Sequence, residues 1–136
     1  MAVIMNELVI EANIANMNEV LNFVNGQLDG CSPKIRNQIA VSVDEIFSNI
    51  ARYAYHPGSG SAVVRITVGD DVVTIEFEDS GVAYDPLSTD TPDTTLPAEE
   101  REIGGLGIFI VKNIMDSVRY RRNGNKNIIT IKKKLA

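Results

Sequence analysis

Residues 62–81 read AVVRITVGDDVVTIEFEDSG, which is two short apolar runs with a Gly-Asp-Asp turn between them. In the second run, Val73, Ile75 and Phe77 alternate with polar residues. Alternation with a period of two is the pattern of a half-buried β-strand. We therefore predict a β-hairpin that lays one face on the hydrophobic core.

The elements on either side of this hairpin are grouped by type. Before it come a strand and two amphipathic helices, and the second helix begins at Ser32-Pro33, an N-cap followed by proline at the first helical position. This order favours an α+β two-layer sandwich, with a mixed, mostly antiparallel sheet and helices on one face, over a doubly wound parallel sheet. The predicted elements are a strand over 3–11, helices over 14–30 and from 32 to the break at 56–58, strands over 62–68 and 72–78, a helix over 106–115, and strands over 118–122 and 127–133.

Length and composition predict one ordinary globular domain over 1–136, with 44% hydrophobic and 23% charged residues. No apolar run could span a bilayer, and no basic residue precedes the first apolar run, so we expect a cytoplasmic protein without membrane contact. The single cysteine, Cys31, excludes an internal disulfide and a cysteine-based zinc site.

Charge is sorted along the chain, because residues 103–136 hold eight basic residues and one acidic residue. A basic tail can bind nucleic acid, but this one has little aromatic interleaving and the whole chain carries a net charge of −5. A solvated sheet face, or an edge strand protected by lysines, is the favoured interpretation. We therefore predict no direct binding of nucleic acid.

A polar stripe of Ser42, Glu45, Asn49 and Arg52 follows the second helix at spacings of three and four residues. A solvated helix face would explain each of these residues alone. Asparagine is a poor helix former, however, so Asn49 in mid-helix suggests a specific role. A carboxylate and a carboxamide one turn apart can hold a hard cation and its waters, or orient and deprotonate a nucleophile.

Asp79 lies at the end of the second hairpin strand, where strict alternation points its side chain toward the core. A buried carboxylate is costly unless it is hydrogen-bonded, so an N–H donor of a ligand would be a suitable partner. An Asx turn with Ser80 and Gly81 is the alternative explanation.

The run Gly104-Gly105-Leu106-Gly107 leads directly into an apolar helix. Glycines at a helix N-terminus let backbone N–H groups approach phosphate oxygens, although close packing would also require glycine. The spacing fits neither a P-loop nor the full GxGxxG fingerprint. It indicates a different nucleotide-binding fold.

Three motifs in order resemble the N, G1 and G2 boxes of the superfamily that joins DNA gyrase, the heat-shock chaperone ATPase, histidine kinases and the MutL mismatch-repair ATPase. They are Glu45-x-x-x-Asn49 on a helix, Asp79-x-Gly81 after a strand, and Gly105-Leu106-Gly107 before a helix. The resemblance covers nearly the whole chain and implies the Bergerat-type ATPase fold. It also implies ATP and Mg²⁺ as cofactors.

Within that superfamily, the chain is most similar to the anti-sigma-factor serine-protein kinases. The short length, the run DSGVAYDP over 79–86 and the ending with NIITI over 127–131 carry this likeness. Two residues depart from the wider pattern: Tyr53 stands where relatives often have histidine, and Ala83 replaces the second glycine of DxGxG. Ala83 argues against a histidine kinase, and the one histidine, His56, lies in a His-Pro-Gly break and not on a helix.

The resemblance assigns a role to each motif. Asn49 would bind Mg²⁺, Glu45 would be the catalytic base, and Asp79 would accept the adenine amino group. Gly105 and Gly107 would border the phosphates. Together with their neighbours in the motifs and Arg101, the predicted nucleotide-binding set is Asn49, Asp79, Gly81, Arg101, Gly104, Gly105, Leu106 and Gly107.

Residues 82–103 have three prolines, a polar run and an acidic cluster, and they offer little apolar area for packing. We interpret them as an ATP lid that becomes ordered when nucleotide binds. Arg101 is the basic residue in this segment that could follow the glycine turn toward the γ-phosphate.

The resemblance implies a protein kinase that phosphorylates a Ser or Thr of a STAS-type anti-sigma-factor antagonist and sequesters a sigma factor. The alternative is a nucleotide-gated binding protein with little or no chemistry, which Tyr53 favours and the intact Glu45-Asn49 pair opposes. The sequence leaves open whether the chain forms a homodimer.

Overall fold

The structure is a computed structural model that describes residues 4–88 and 105–135. Short 3₁₀ turns lie at Ile14–Asn16 and Pro86–Ser88. The strands are β1 (Met5–Glu11), β2 (Ser61–Val68), β3 (Val72–Asp79), β4 (Ser117–Asn123) and β5 (Lys126–Lys134), and the helices are α1 (Met17–Gly26), α2 (Pro33–Asn49) and α3 (Gly105–Ile114).

The five strands form one sheet in the order β1-β2-β3-β5-β4, and each of its four pairings is antiparallel. The predicted α+β class is therefore confirmed, and so is the predicted hairpin of β2 and β3. Val73, Ile75 and Phe77 are buried as their alternation predicted, and they join the helices in one core cluster. Asp79 continues the same inward row, so the sheet delivers a carboxylate to the end of the core.

Helix α2 begins where the sequence predicts, because the Ser32 hydroxyl accepts a hydrogen bond from the Ile35 N–H at 3.3 Å and Pro33 occupies the first turn. After Asn49 the helix widens into a π-helical segment, Ile50–Ala54. The sequence pattern predicted helical periodicity up to the 56–58 break but not this change of winding. Single π-helical turns occur frequently at functional sites.

The face of the sheet that points away from the helices carries charged side chains from strands β2, β3, β4 and β5. Arg65 bonds Glu78 at 3.2 Å, and Lys126 bonds the second oxygen of Glu78 at 3.2 Å. Arg121 lies 3.5 Å from Glu76. Two residues of the basic tail, Arg121 and Lys126, are therefore engaged in ion pairs across this face. Among the described residues, no helix is long and apolar enough to cross a membrane.

Candidate functional site

A cleft opens where the end of α2 meets the ends of β3 and β5. It holds about 320 Å³ of empty space including its open mouth. Two of the predicted site residues, Asn49 and Asp79, line it together. Its lining is completed by Ile50, Tyr53, Ala54, Val82, Tyr84, Asn127 and Ile129.

Asp79 is buried, with 6% of its surface exposed. Its Oδ1 accepts hydrogen bonds from the Gly81 N–H and from Asn127 Nδ2, both at 2.9 Å. The inward orientation and the Asx turn are thus both present, although the sequence posed them as alternatives. Because both hydrogen bonds end on Oδ1, Oδ2 remains available to an N–H donor of a ligand.

Asn49 carries the one unsatisfied buried polar atom found among the described side chains, its Oδ1. Only 7% of the residue is exposed, and an unpaired buried acceptor costs about 1–3 kcal/mol. A neutral oxygen of this kind is a suitable ligand for a hard cation such as Mg²⁺. No group of three or more His, Cys, Asp or Glu residues able to hold a metal exists in the described segments. The unpaired Oδ1 of Asn49 is therefore compatible with one ligand position of a Mg²⁺ ion.

Glu45 lies one helical turn before Asn49 and is half-buried. Burial is the main cause that raises the pKa of its carboxyl; the negative charge of Asp44 raises it further, and Arg52 opposes both. Glu45 is not one of the residues that line the cleft, but it lies one turn from Asn49, which does. A half-buried carboxyl with a raised pKa at this position is a candidate general base.

The first turn of α3 lies directly against Glu45. A Cβ atom built on Gly107 would overlap Oε2 of the Glu45 carboxylate. Two motifs separated by about sixty residues in the sequence are thus in contact. This close approach favours glycine at position 107 as long as Glu45 keeps its present orientation, in line with the close-packing interpretation of the glycine run.

The loop after Asp79 is fixed to the π-helical end of α2. The Val82 N–H donates to the Ala54 carbonyl at 2.9 Å, and a Cβ on Gly81 would overlap that same carbonyl oxygen. The Tyr55 hydroxyl accepts from the Ser80 N–H at 2.8 Å. From the β4 strand, Arg122 donates to the Gly81 carbonyl at 3.0 Å.

We expect alanine at the two glycines to have different effects on stability. Gly81→Ala places a methyl group against backbone atoms, which cannot move aside, so the free energy of unfolding should fall by about 1–3 kcal/mol. Gly107→Ala meets the end of the flexible Glu45 side chain, which can rotate away, so its loss should be smaller. Urea denaturation measures both. An equal loss in the two variants would contradict the described contacts.

Two tyrosines stand at the mouth of the cleft. Tyr53 and Tyr84 are 37% and 40% exposed, and their ring centroids lie 6.2 Å apart at an interplanar angle of 43°. Such tilted aromatic pairs are favourable. Tyr53 is the residue that departs from the histidine of the resembled family.

Asn127 is a site residue that the sequence reasoning missed. It is 4% exposed and bonds Asp79 as described above. A signal was present, because Asn127 shares the parity of the inward residues Ile129 and Ile131 in its strand. A polar residue at an inward position of an apolar strand requires a specific partner.

The remaining residues of the predicted nucleotide-binding set do not line the cleft or are not described by the structure. Gly105 begins α3, and Leu106 follows it in the helix. Arg101, Gly104 and most of the predicted lid over 82–103 lie outside the described residues, so their roles stay predictions.

The fold is a two-layer sandwich. Its candidate site combines a carboxylate after a strand with a carboxylate-carboxamide pair on a helix. This arrangement is the one expected for the nucleotide-binding ATPase domains that the three motifs resemble. Residues 10–133 match the family model described as the histidine kinase-like ATPase domain. The chain therefore belongs to that family. The resemblance stated from the motifs is confirmed at this level.

Curated relatives carry kinase names. Over 104 residues the chain is 26% identical to the serine/threonine-protein kinase BtrW of Bordetella bronchiseptica, covering 76% of this chain and 73% of that protein. Over 96 residues it is 23% identical to the serine-protein kinase RsbW of Bacillus cereus, covering 68% of this chain and 60% of that protein. The chain thus spans less than two thirds of the second relative's length.

A solved structure supports the fold alone. The Acinetobacter baumannii histidine kinase AdeS superposes with a TM-score of 0.54 at 16% sequence identity, and the match covers 96% of this chain and 68% of that chain. The architecture is therefore shared with the matched part of that histidine kinase.

Proposed function

We propose that the chain is an ATP- and Mg²⁺-dependent protein kinase that phosphorylates a Ser or Thr of an anti-sigma-factor antagonist and binds a sigma factor. One observation carries this proposal: the buried, unpartnered Oδ1 of Asn49 shares a cleft with Asp79 and lies one turn from Glu45. The kinase names of the relatives support the activity. The motif resemblance supports the two protein partners.

In the proposed reaction, each residue has a limited task. Asp79 Oδ2 accepts the exocyclic amino N–H of adenine. Asn49 Oδ1 would hold Mg²⁺, which would supply charge neutralisation at the phosphates. The N-terminal backbone of α3 faces the phosphates. Phosphoryl transfer depends mainly on positioning and charge neutralisation, so this small set is sufficient.

Glu45 moves the proton. Its carboxylate accepts the proton of the acceptor hydroxyl as that oxygen bonds the γ-phosphorus and ADP leaves. The raised pKa of Glu45 makes its carboxylate a stronger base than an exposed glutamate, provided that it is ionised at the working pH.

The second candidate function is a nucleotide-gated binding protein that performs little chemistry. Tyr53 favours it, because the resembled kinases often carry histidine there. The Glu45-Asn49 pair is complete, however, and a pure binding site would not need a base beside the cation ligand.

The test is a transfer assay with the purified chain, γ-labelled ATP, Mg²⁺ and a purified antagonist protein from the same cell. We expect label on a Ser or Thr of the antagonist. Tight ATP binding without any transfer would reject the kinase and favour the binding protein.

A further inference from the structure

The carboxamide of Asn127 makes every hydrogen bond that it can make. Nδ2 donates to Asp79 Oδ1 at 2.9 Å and to the Val82 carbonyl at 2.8 Å. Oδ1 accepts from the Tyr84 N–H at 3.3 Å and from the Tyr120 hydroxyl at 2.5 Å. Two donors and two acceptor lone pairs are the full capacity of an asparagine side chain.

These partners fix the orientation of the amide. A flipped carboxamide would turn its oxygen toward the Asp79 carboxylate and the Val82 carbonyl, and its NH₂ toward the Tyr84 N–H. All three contacts would then be repulsive. The Tyr120 hydroxyl reaches Asn127 from the neighbouring edge strand β4 and occupies the remaining lone pair. One orientation therefore satisfies the whole network.

The network joins two parts of the cleft. On one side it holds Oδ1 of Asp79, which leaves Oδ2 as the oxygen presented to a ligand. On the other side it holds the backbone at Val82 and Tyr84, and the Tyr84 ring stands with Tyr53 at the mouth of the cleft. The position of the Asp79 carboxylate and the position of the backbone at the mouth of the cleft thus both depend on the side chain of Asn127.

We infer that Asn127 is a positioning residue for recognition of the nucleotide base. It acts through Asp79, whose Oδ2 it presents to an exocyclic amino group, and it is assisted by Tyr120. This inference rests on the proposed function, since it requires that the cleft bind adenine.

The test compares two nucleotides that differ by one amino group, ATP and purine riboside triphosphate, by calorimetry with Mg²⁺. A hydrogen bond to a carboxylate gives the wild type a preference for ATP of roughly tenfold or more. Asn127→Ala should reduce this preference to about threefold or less, while the affinity for the purine analogue changes less. If Asn127 were only a structural residue, its loss would weaken the binding of both nucleotides equally and leave the preference for ATP unchanged.

Two further variants keep the inference testable if Asn127→Ala does not fold. Tyr120→Phe deletes one hydroxyl and should give a preference between those of the wild type and Asn127→Ala. Asn127→Asp removes the Nδ2 donor and places a second carboxyl group beside Asp79, so it should abolish the preference.

Asn123→Ala is the matched control, because Asn123 is an exposed asparagine on the same β4-β5 hairpin. It should keep the wild-type preference. A wild-type preference retained by both Asn127→Ala and Tyr120→Phe would overturn the inference while the proposed function stands. A wild type that binds neither nucleotide would reject the proposed function itself.

Discussion

Replacing Glu45 with glutamine should lower phosphoryl transfer by roughly 10² or more while ATP affinity stays within a few-fold. The substitution keeps the size of the side chain that packs against Gly107, so the contact with α3 survives. It removes the group that accepts the proton. Glu45→Ala should give the same loss of transfer, and single-turnover transfer with calorimetric ATP binding measures both quantities.

Asp44→Asn is the matched control for this substitution. Asp44 is the exposed neighbour whose negative charge raises the pKa of Glu45. The Asp44→Asn variant should keep transfer activity, because it leaves the Glu45 carboxylate in place. If the wild type and Glu45→Gln turn over equally slowly, the binding-protein alternative is correct.

The pH dependence of phosphoryl transfer also tests whether Glu45 is the base. The base must be ionised, so wild-type transfer should decline as the pH falls through the pKa of Glu45, which lies above the ordinary glutamate value of 4.5. Asp44→Asn removes one cause of the raised pKa, so its decline should begin at lower pH. Identical profiles for the two proteins would contradict Glu45 as the titrating base.

The second large effect concerns the base of the nucleotide. Asp79→Asn should weaken ATP binding by roughly ten- to a hundredfold, since a hydrogen bond to a charged group contributes about 1.5–3 kcal/mol. The oxygen of the new asparagine can keep the hydrogen bonds from Gly81 and Asn127, because both of them end on Oδ1. Its NH₂ group then faces the adenine amino group, and the two donors repel each other. The fold should therefore lose much less than the binding site does.

Glu78→Gln tests whether this effect is local. Glu78 is the preceding residue of β3, but its side chain lies on the other face of the sheet with Arg65 and Lys126. ATP affinity should remain at the wild-type level in this variant. If the Asp79→Asn variant had the same ATP affinity as the Glu78→Gln variant, Asp79 would not be the carboxylate that binds adenine.

The sequence predicted most of the fold because local periodicity determined each element. The alternation of Val73, Ile75 and Phe77 located β3 and predicted that Asp79 points inward. The Ser32-Pro33 signal located the start of α2. These features depend on neighbours within a few residues, where the period of the backbone decides which side chains face the core.

What the sequence did not predict depends on contacts between distant parts of the chain. The fixed amide of Asn127 requires partners from β3, the 82–84 loop and β4 at once. The π-helical winding after Asn49 ends where the Ala54 carbonyl meets the Val82 N–H. No periodicity within one element signals such contacts, although the parity of Asn127 within β5 would have marked it as unusual.

We propose above all that the cleft between α2, β3 and β5 binds ATP with Mg²⁺. Isothermal titration of the purified wild-type chain with ATP, in Mg²⁺ and again in EDTA, tests it most directly. We expect one ATP per chain and a clearly higher affinity in Mg²⁺, because Asn49 Oδ1 gains its missing partner only when the cation is present. The absence of binding heat under both conditions, with the protein folded, would contradict the account.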